Sequence, residues 1–226
     1  MSFSLALSLL LLSAGPSERG AHDDATVRHS FEDVDHWTAV FDDPERDAWQ
    51  KPDEVIAFLR IGSGGRIADL GAGTGYFTVR LARAVGESGK VYAIEIEPKL
   101  VQHLNERSAK AGLTQVVPVL AAPDDPKLEE QSVDQVLIVD TYHHIDDRVA
   151  YLRRLANALR LGGTVAVVDF KPGELPVGPP PGHKLAAEKV IEEFQEAGYL
   201  LDRRSDALPY QYVLVFRRQM IEVRPA

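Results

Sequence analysis

Five short apolar runs recur along the chain, at residues 66–70, 90–94, 115–120, 134–139 and 164–169, each rich in Val, Ile, Leu or Ala. Runs of this kind suit strands buried on both faces, as in a parallel sheet covered by helices. Segments with apolar residues at helical spacing separate most of them (77–85, 98–111 and 146–160), and a further one covers 183–197. Gly112, Gly162 and Gly198 stand where the last three of these helices should stop. Strand and helix in repeated alternation predict an α/β, doubly wound, mostly parallel sheet. The end of the chain departs from that rhythm. Residues 199–204 and 210–217 read as two strands joined by a turn containing Ala207, Leu208 and Pro209, which predicts an antiparallel hairpin and brings the sheet to seven strands. Ahead of the first strand, Pro44 and Pro52 each sit where a short helix can begin.

Where the first apolar run ends, residues 68–78 read ADLGAGTGYFT. An acidic residue, Asp69, is followed by Gly71, Ala72, Gly73 and Gly75 and then by helix formers, so a strand, a tight turn and a helix N-terminus adjoin. Glycines there admit positive φ and close backbone approach, and the helix start offers free N–H groups to a polar ligand. A dinucleotide fingerprint would need a third glycine where Tyr76 stands. The pattern D-x-G-x-G-x-G instead resembles motif I of the class I S-adenosylmethionine-dependent methyltransferases, of the small-molecule type. The resemblance extends over residues 41–217, since that family also ends its Rossmann-like sheet with a reversed strand. It implies S-adenosyl-L-methionine as cofactor, with Asp69, Gly71, Ala72, Gly73 and Gly75 holding its amino-acid end. A nicotinamide oxidoreductase and a non-catalytic cofactor-binding relative stand as the alternatives.

In a doubly wound sheet, ligands lie outside the carboxyl ends of the strands. Glu95 ends the second strand there, followed by Ile96, and its carboxylate can accept both hydroxyls of a ribose. After the third strand the family commonly places an Asp against the adenine amino group. Ala122 occupies that position here, so Asp124, or else Asp125, is expected to substitute, with the backbone N–H of Ala121 or Ala122 serving the ring nitrogens. The fourth strand delivers Asp140, Thr141, Tyr142, His143 and His144 to the same edge. His143, His144 and Asp140 are the catalytic candidates. Imidazole titrates near neutrality and can take a proton from an O–H or N–H⁺ acceptor, although a thiol acceptor needs no base. Trp49 and Gln50 precede the sheet where the family often folds a helix over the methionine end, and an aromatic face there can stabilise a sulfonium; a plain core anchor is the other reading of Trp49. The Pro/Gly-rich stretch 171–183 is the expected carrier of substrate specificity, or a rigid cover without substrate contact.

Composition narrows the partners. With 45% hydrophobic residues, 226 residues accommodate one ordinary domain and an N-terminal extension. A formal net charge of −9, with no basic run carrying interleaved aromatics, argues against a nucleic-acid-binding face and leaves a small-molecule substrate. The chain contains no cysteine, so disulfides, thiolate metal sites and a cysteine nucleophile are excluded. Residues 1–21 contain an apolar core from Leu5 to Leu12 followed by small residues, which reads as a signal peptide too short to span a bilayer stably. Export to the periplasm or exterior is the expectation, against a cytoplasmic location with a misassigned start or a weak anchor. Residues 22–40 read as a polar extension, and 41–220 as the methyltransferase domain. His22, His29 and His36 are spaced by seven, about two helical turns or ~10 Å, too far apart for one ion, so no metal site is expected.

Overall fold

Residues whose side chains are apolar on both parities build the centre of a seven-stranded sheet, described together with the rest of residues 34–219 in the computed structural model. The strands are β1 (Arg66–Leu70), β2 (Lys90–Glu95), β3 (Val116–Leu120), β4 (Val133–Val139), β5 (Leu159–Phe170), β6 (Tyr199–Ser205) and β7 (Gln211–Arg218). Their order in space is β3-β2-β1-β4-β5-β7-β6. β1 to β5 pair in parallel, and β7 runs antiparallel to both β5 and β6. Pro118 lies in β3, an edge strand, where a missing N–H is tolerated.

Alternation along each strand sends side chains to two separate cores. Ile67, Val91, Leu137, Val139, Val168 and Val215 face α3 (Pro52–Leu59), α4 (Tyr76–Val85) and Leu104 of α5 (Pro98–Lys110). Ala68, Ile94, Val136, Ile138, Val167 and Phe216 face α6 (Arg148–Leu155) and α7 (Ala187–Glu196). Phe194 of α7 stacks on Phe216 at 3.8 Å between ring centroids, and burial of each such side chain contributes on the order of 1.5–3 kcal/mol. Helices thus cover both faces, which leaves the carboxyl ends of the parallel strands as the open edge.

Two expected boundaries moved. The helix expected over 146–160 ends at Leu155, and Gly162, expected to stop it, lies inside β5 at φ +77°. The carbonyls of Asn157 and Ala158 accept the N–H groups of Gln131, Ser132 and Val133, so the chain is drawn into the ladder beside β4 before a further helical turn can form. The last helix begins at Ala187 rather than at 183, because residues 181–183 form a single 3₁₀ turn and the carbonyl of Leu185 is taken by the Tyr212 hydroxyl. A helix α1 (Val34–Phe41) occupies the end of the stretch read as a polar extension. Short α2 (Arg46–Gln50) follows it. The signal-peptide segment 1–21, together with His22 and His29, lies outside the described residues.

Candidate functional site

The strand order reverses at β1, whose two neighbours are β2 and β4. At such a reversal a doubly wound sheet offers a crevice outside the carboxyl ends of its strands, flanked here by the glycine turn and by the loop after β4. The two loops touch. A Cβ added at Gly71, where φ is +74°, would lie 2.3 Å from Oγ1 of Thr141. Glycine is required there both for the left-handed backbone and for this approach.

The turn is held from β2. The N–H groups of Gly71 and Ala72 both donate to the carbonyl of Ile94, at 2.9 and 3.0 Å, and that of Gly73 donates to Glu95 Oε2 at 3.0 Å. Glu95 Oε1 accepts from the N–H of Ile96 at 2.7 Å and of Glu97 at 3.3 Å. Burial raises the Glu95 pKa above the usual carboxylate range, partly opposed by these backbone donors. Beside it Ile96 and Leu120 are each 51% exposed, an apolar shelf at the ends of β2 and β3. Gly73 (φ +55°) and Gly75 (φ +92°) complete the turn and lead into α4.

Asp69 lies under this turn. Its carboxylate is buried and accepts the Thr78 hydroxyl at 2.6 Å, with the Thr78 backbone N–H also facing it. Burial pushes its pKa up to about 6, against the pull of Thr78. The side chain therefore anchors the first turn of α4 from below. Among the residues expected at the cofactor's amino-acid end, Asp69 is thus a buried support of the turn.

The turn after β3 also differs from expectation. The Asp124 side chain is 82% exposed and pairs with Arg154 of α6 at 3.4 Å, while its carbonyl accepts from the same guanidinium. Asp125 holds Lys127. The Ala121 N–H donates to the Glu95 carbonyl, and the Ala122 N–H to that of Asp125. Two prolines adjoin a small closed bridge between Ala122 and Asp125, and the N–H groups of Ala121 and Ala122 are taken within the protein.

Across the crevice, side chains from distant segments converge. Asp140, at φ +51°, accepts from Gln50 Nε2 at 3.3 Å, from Gln211 Nε2 and from Arg46 Nη2 at 3.5 Å. Gln50 Nε2 also donates to Gln211 Oε1 at 3.1 Å, and Arg46 Nε donates to Gln50. Burial pushes Asp140 up to about 6, with Arg46 opposing and Asp169 adding to the rise. His143 lies in a 3₁₀ turn, Tyr142–His144, and its Nδ1 is 3.0 Å from both oxygens of Asp169, at the end of β5. Burial pulls this imidazole down, but Asp169, helped by Asp140, outweighs it and leaves the pKa above its ordinary value. His144 is exposed, its ring centroid 4.1 Å from that of His143.

The segment before the sheet crosses the glycine turn as a strap. Asp42 accepts from Thr74 Oγ1 at 3.2 Å and pairs with Arg107 of α5. Asp47 accepts from the Tyr76 hydroxyl and from Arg80, and the Tyr76 ring lies between the guanidiniums of Arg46 and Arg80, at 4.2 and 4.1 Å. Phe41 approaches Gly73, where a Cβ would be 3.5 Å from its ring. Trp49 is half-buried, 5.8 Å from Phe170 and 6.3 Å from Tyr210 between ring centroids. Gly178 of the Pro/Gly-rich stretch also rests on Phe170, where a Cβ would lie 2.5 Å away. Arg46 and Asp169 had not been singled out in the sequence. Asp169 did carry a signal, because like Asp69, Glu95 and Asp140 it is an acid at the end of an apolar run.

Residues 61–205 match a family model described as a methyltransferase domain. The 27-O-demethylrifamycin SV methyltransferase of Amycolatopsis mediterranei is 33% identical over 141 residues, covering 62% of this chain and 50% of that protein. The aklanonic acid methyltransferase DauC of a Streptomyces species is 27% identical over 136 residues, covering 59% and 62% respectively. The chain spans about half the length of several curated relatives it matches. Among solved structures, an S-adenosylmethionine-dependent methyltransferase from Aquifex aeolicus superposes with a TM-score of 0.78 at 25% identity, covering 84% of this chain and 99% of that one.

Proposed function

Because the chain belongs to the class I S-adenosylmethionine-dependent methyltransferases, through a methyltransferase domain that fills residues 61–205, we propose that it moves a methyl group from S-adenosylmethionine to a small-molecule acceptor in the crevice between β1 and β4. The observation that carries this reading is the cradle itself: positive-φ glycines at 71, 73 and 75 beside the buried carboxylate of Glu95. The cofactor supplies a methyl group made electrophilic by the sulfonium. Gly71, Ala72 and Gly73 would receive its amino-acid end, Glu95 has lone pairs left for ribose hydroxyls, and Ile96 with Leu120 offers an apolar face to a purine. Asp69 shapes the cradle through Thr78 rather than by contact. Trp49 and Gln50 close the site from the strap, and the protein's remaining work is alignment, exclusion of water and acceptance of a proton.

The nicotinamide reading fares poorly against the same geometry. Tyr76 fills the position of the third glycine, and its ring is held between two guanidiniums where a pyrophosphate would need close backbone approach. A small, not polymeric, acceptor agrees with the relatives named for rifamycin and aklanonic acid chemistry. Calorimetry with S-adenosylmethionine and with NAD separates the two cofactors, and only the former should bind. Turnover to S-adenosylhomocysteine across thiols, phenols, amines and metalloid oxyanions then separates an enzyme from a non-catalytic relative. Cofactor binding with no turnover on any of them would favour the latter. For the N-terminal segment the proposal is export, supported by the apolar core at residues 5–12; an intact Met1 on the native soluble protein, found by N-terminal sequencing, would reject it.

A further inference from the structure

We propose that Asp169 is a positioning residue that fixes His143 as the proton acceptor for an ionisable hydroxyl, phenolic or enolic, on the methyl acceptor; this rests on the methyltransferase reading above. Asp169 is fully buried at the end of β5, and its Oδ1 already accepts the Phe170 N–H at 2.8 Å. Both carboxylate oxygens stand 3.0 Å from Nδ1 of His143. A carboxylate there can only accept, so Nδ1 carries the proton and the lone pair resides on Nε2. Among the described residues Nε2 has no hydrogen-bond partner. His143 follows by two residues Thr141, whose side chain touches Gly71 of the glycine cradle.

Charge explains which acceptor this arrangement suits. Methyl transfer removes the positive charge of the sulfonium, and a proton arriving on His143 restores a cation beside two carboxylates, the buried Asp169 and the half-buried Asp140. Arg148 from α6 is the opposing charge, and His144 lies against the ring. The site therefore favours the charge distribution reached after proton transfer, and interactions that strengthen toward the transition state are those that accelerate it. A thiol ionises close to neutrality unaided, and a neutral amine attacks with its own lone pair. A phenol, with a pKa of about 10 as in tyrosine, is within reach of imidazole, whereas an aliphatic hydroxyl, acidic only near that of water at about 16, is not. Trp49 and Tyr210, both half-buried, with Trp49 backed by the buried Phe170, supply flat apolar walls for a planar acceptor. In the step, the acceptor hydroxyl gives its proton to Nε2 while its oxygen bonds the methyl carbon. The electron pair of the breaking carbon–sulfur bond stays on sulfur, which leaves as a neutral thioether, and the positive charge ends on His143.

The test uses the full chain and its Asp169→Asn and His143→Gln variants. In the free wild-type protein, nitrogen-resolved NMR should show the Nδ1–H tautomer of His143, and Asp169→Asn should move its titration to lower pH. With a phenol series from 4-methoxyphenol to 4-nitrophenol, Asp169→Asn should lower kcat about 100-fold on the least acidic member and far less on the most acidic. The acid limb of its pH profile should also move down, while cofactor affinity stays within about threefold. An unmoved His143 titration and pH profile in Asp169→Asn would overturn the positioning role. Cofactor binding with methylation of 2-mercaptoethanol or an amine, and of no phenol or enol, would overturn the acceptor class alone. Failure of the wild type to bind S-adenosylmethionine would overturn the underlying methyltransferase reading instead.

Discussion

The two sides of the crevice are built by different means. On the β1–β2 side the cradle is almost entirely backbone: Gly71, Ala72 and Gly73 bond to Ile94 and Glu95, about two dozen residues away in the chain and adjacent in the sheet. On the β4–β5 side the wall is a largely buried network of side chains, with Arg46, Gln50, Asp140, His143, Asp169 and Gln211 drawn from the strap, two parallel strands and the reversed β7. A backbone cradle fixes a ligand common to many enzymes and tolerates little substitution. A side-chain network can be exchanged residue by residue, which suits the half proposed to recognise the acceptor and take its proton. Gly71 lies directly against Thr141, and there the halves constrain each other.

That contact offers the severest way to break the separation. Gly71→Val must place a β-branched residue at positive φ and push Thr141 aside, costing about 3 kcal/mol and lowering the melting temperature by roughly 10 °C. Cofactor binding and activity should be lost together, in calorimetry and turnover alike. His143→Ala should be the cleanest lesion of the acceptor side, with kcat down ~10²–10⁴-fold and cofactor affinity nearly unchanged. Glu95→Gln should do the reverse, weakening the cofactor ~10-fold or more through the loss of charge-assisted hydrogen bonds while leaving acceptor KM within a small factor.

The same construction explains what could be seen in the chain beforehand. Glycines 71, 73 and 75, Glu95 and the reversed hairpin are local or periodic features, and each stood where expected in the fold. The pair formed by His143 and Asp169 bridges 26 residues, and Arg46 reaches Asp140 across 94, so no spacing announces either. Only the habit of ending apolar strands in an acid hinted at Asp169. The partner of Asp124 was hidden for a related reason, because Arg154 arrives from a helix 30 residues later. Gly162 shows the same limit in the fold, since a positive-φ glycine serves equally as a helix stop or inside a bent strand, and pairing with β4 decides between them.

Each side also holds one acid with a pKa pushed up to about 6, the buried Asp69 under the cradle and the half-buried Asp140 in the network. A folded-state pKa above the unfolded value means that the native state binds more protons between about pH 4 and 6. Stability is therefore fully present below pH 4 and falls as pH rises through 6, by on the order of 2 kcal/mol for each group. Melting curves across that window should show the decline, and Asp69→Asn or Asp140→Asn should each flatten part of it. The smallest effect belongs to Asp124→Ala. Its exposed pair with Arg154 contributes at most about 1 kcal/mol, and cofactor affinity should not change.

Parallel calorimetric titration of S-adenosylhomocysteine into the wild-type protein, Glu95→Ala and Asp169→Asn tests the division most directly. The expected result is binding that weakens at least tenfold in Glu95→Ala and stays within about threefold in Asp169→Asn. Undiminished binding in Glu95→Ala, or an equal loss in Asp169→Asn, would contradict it.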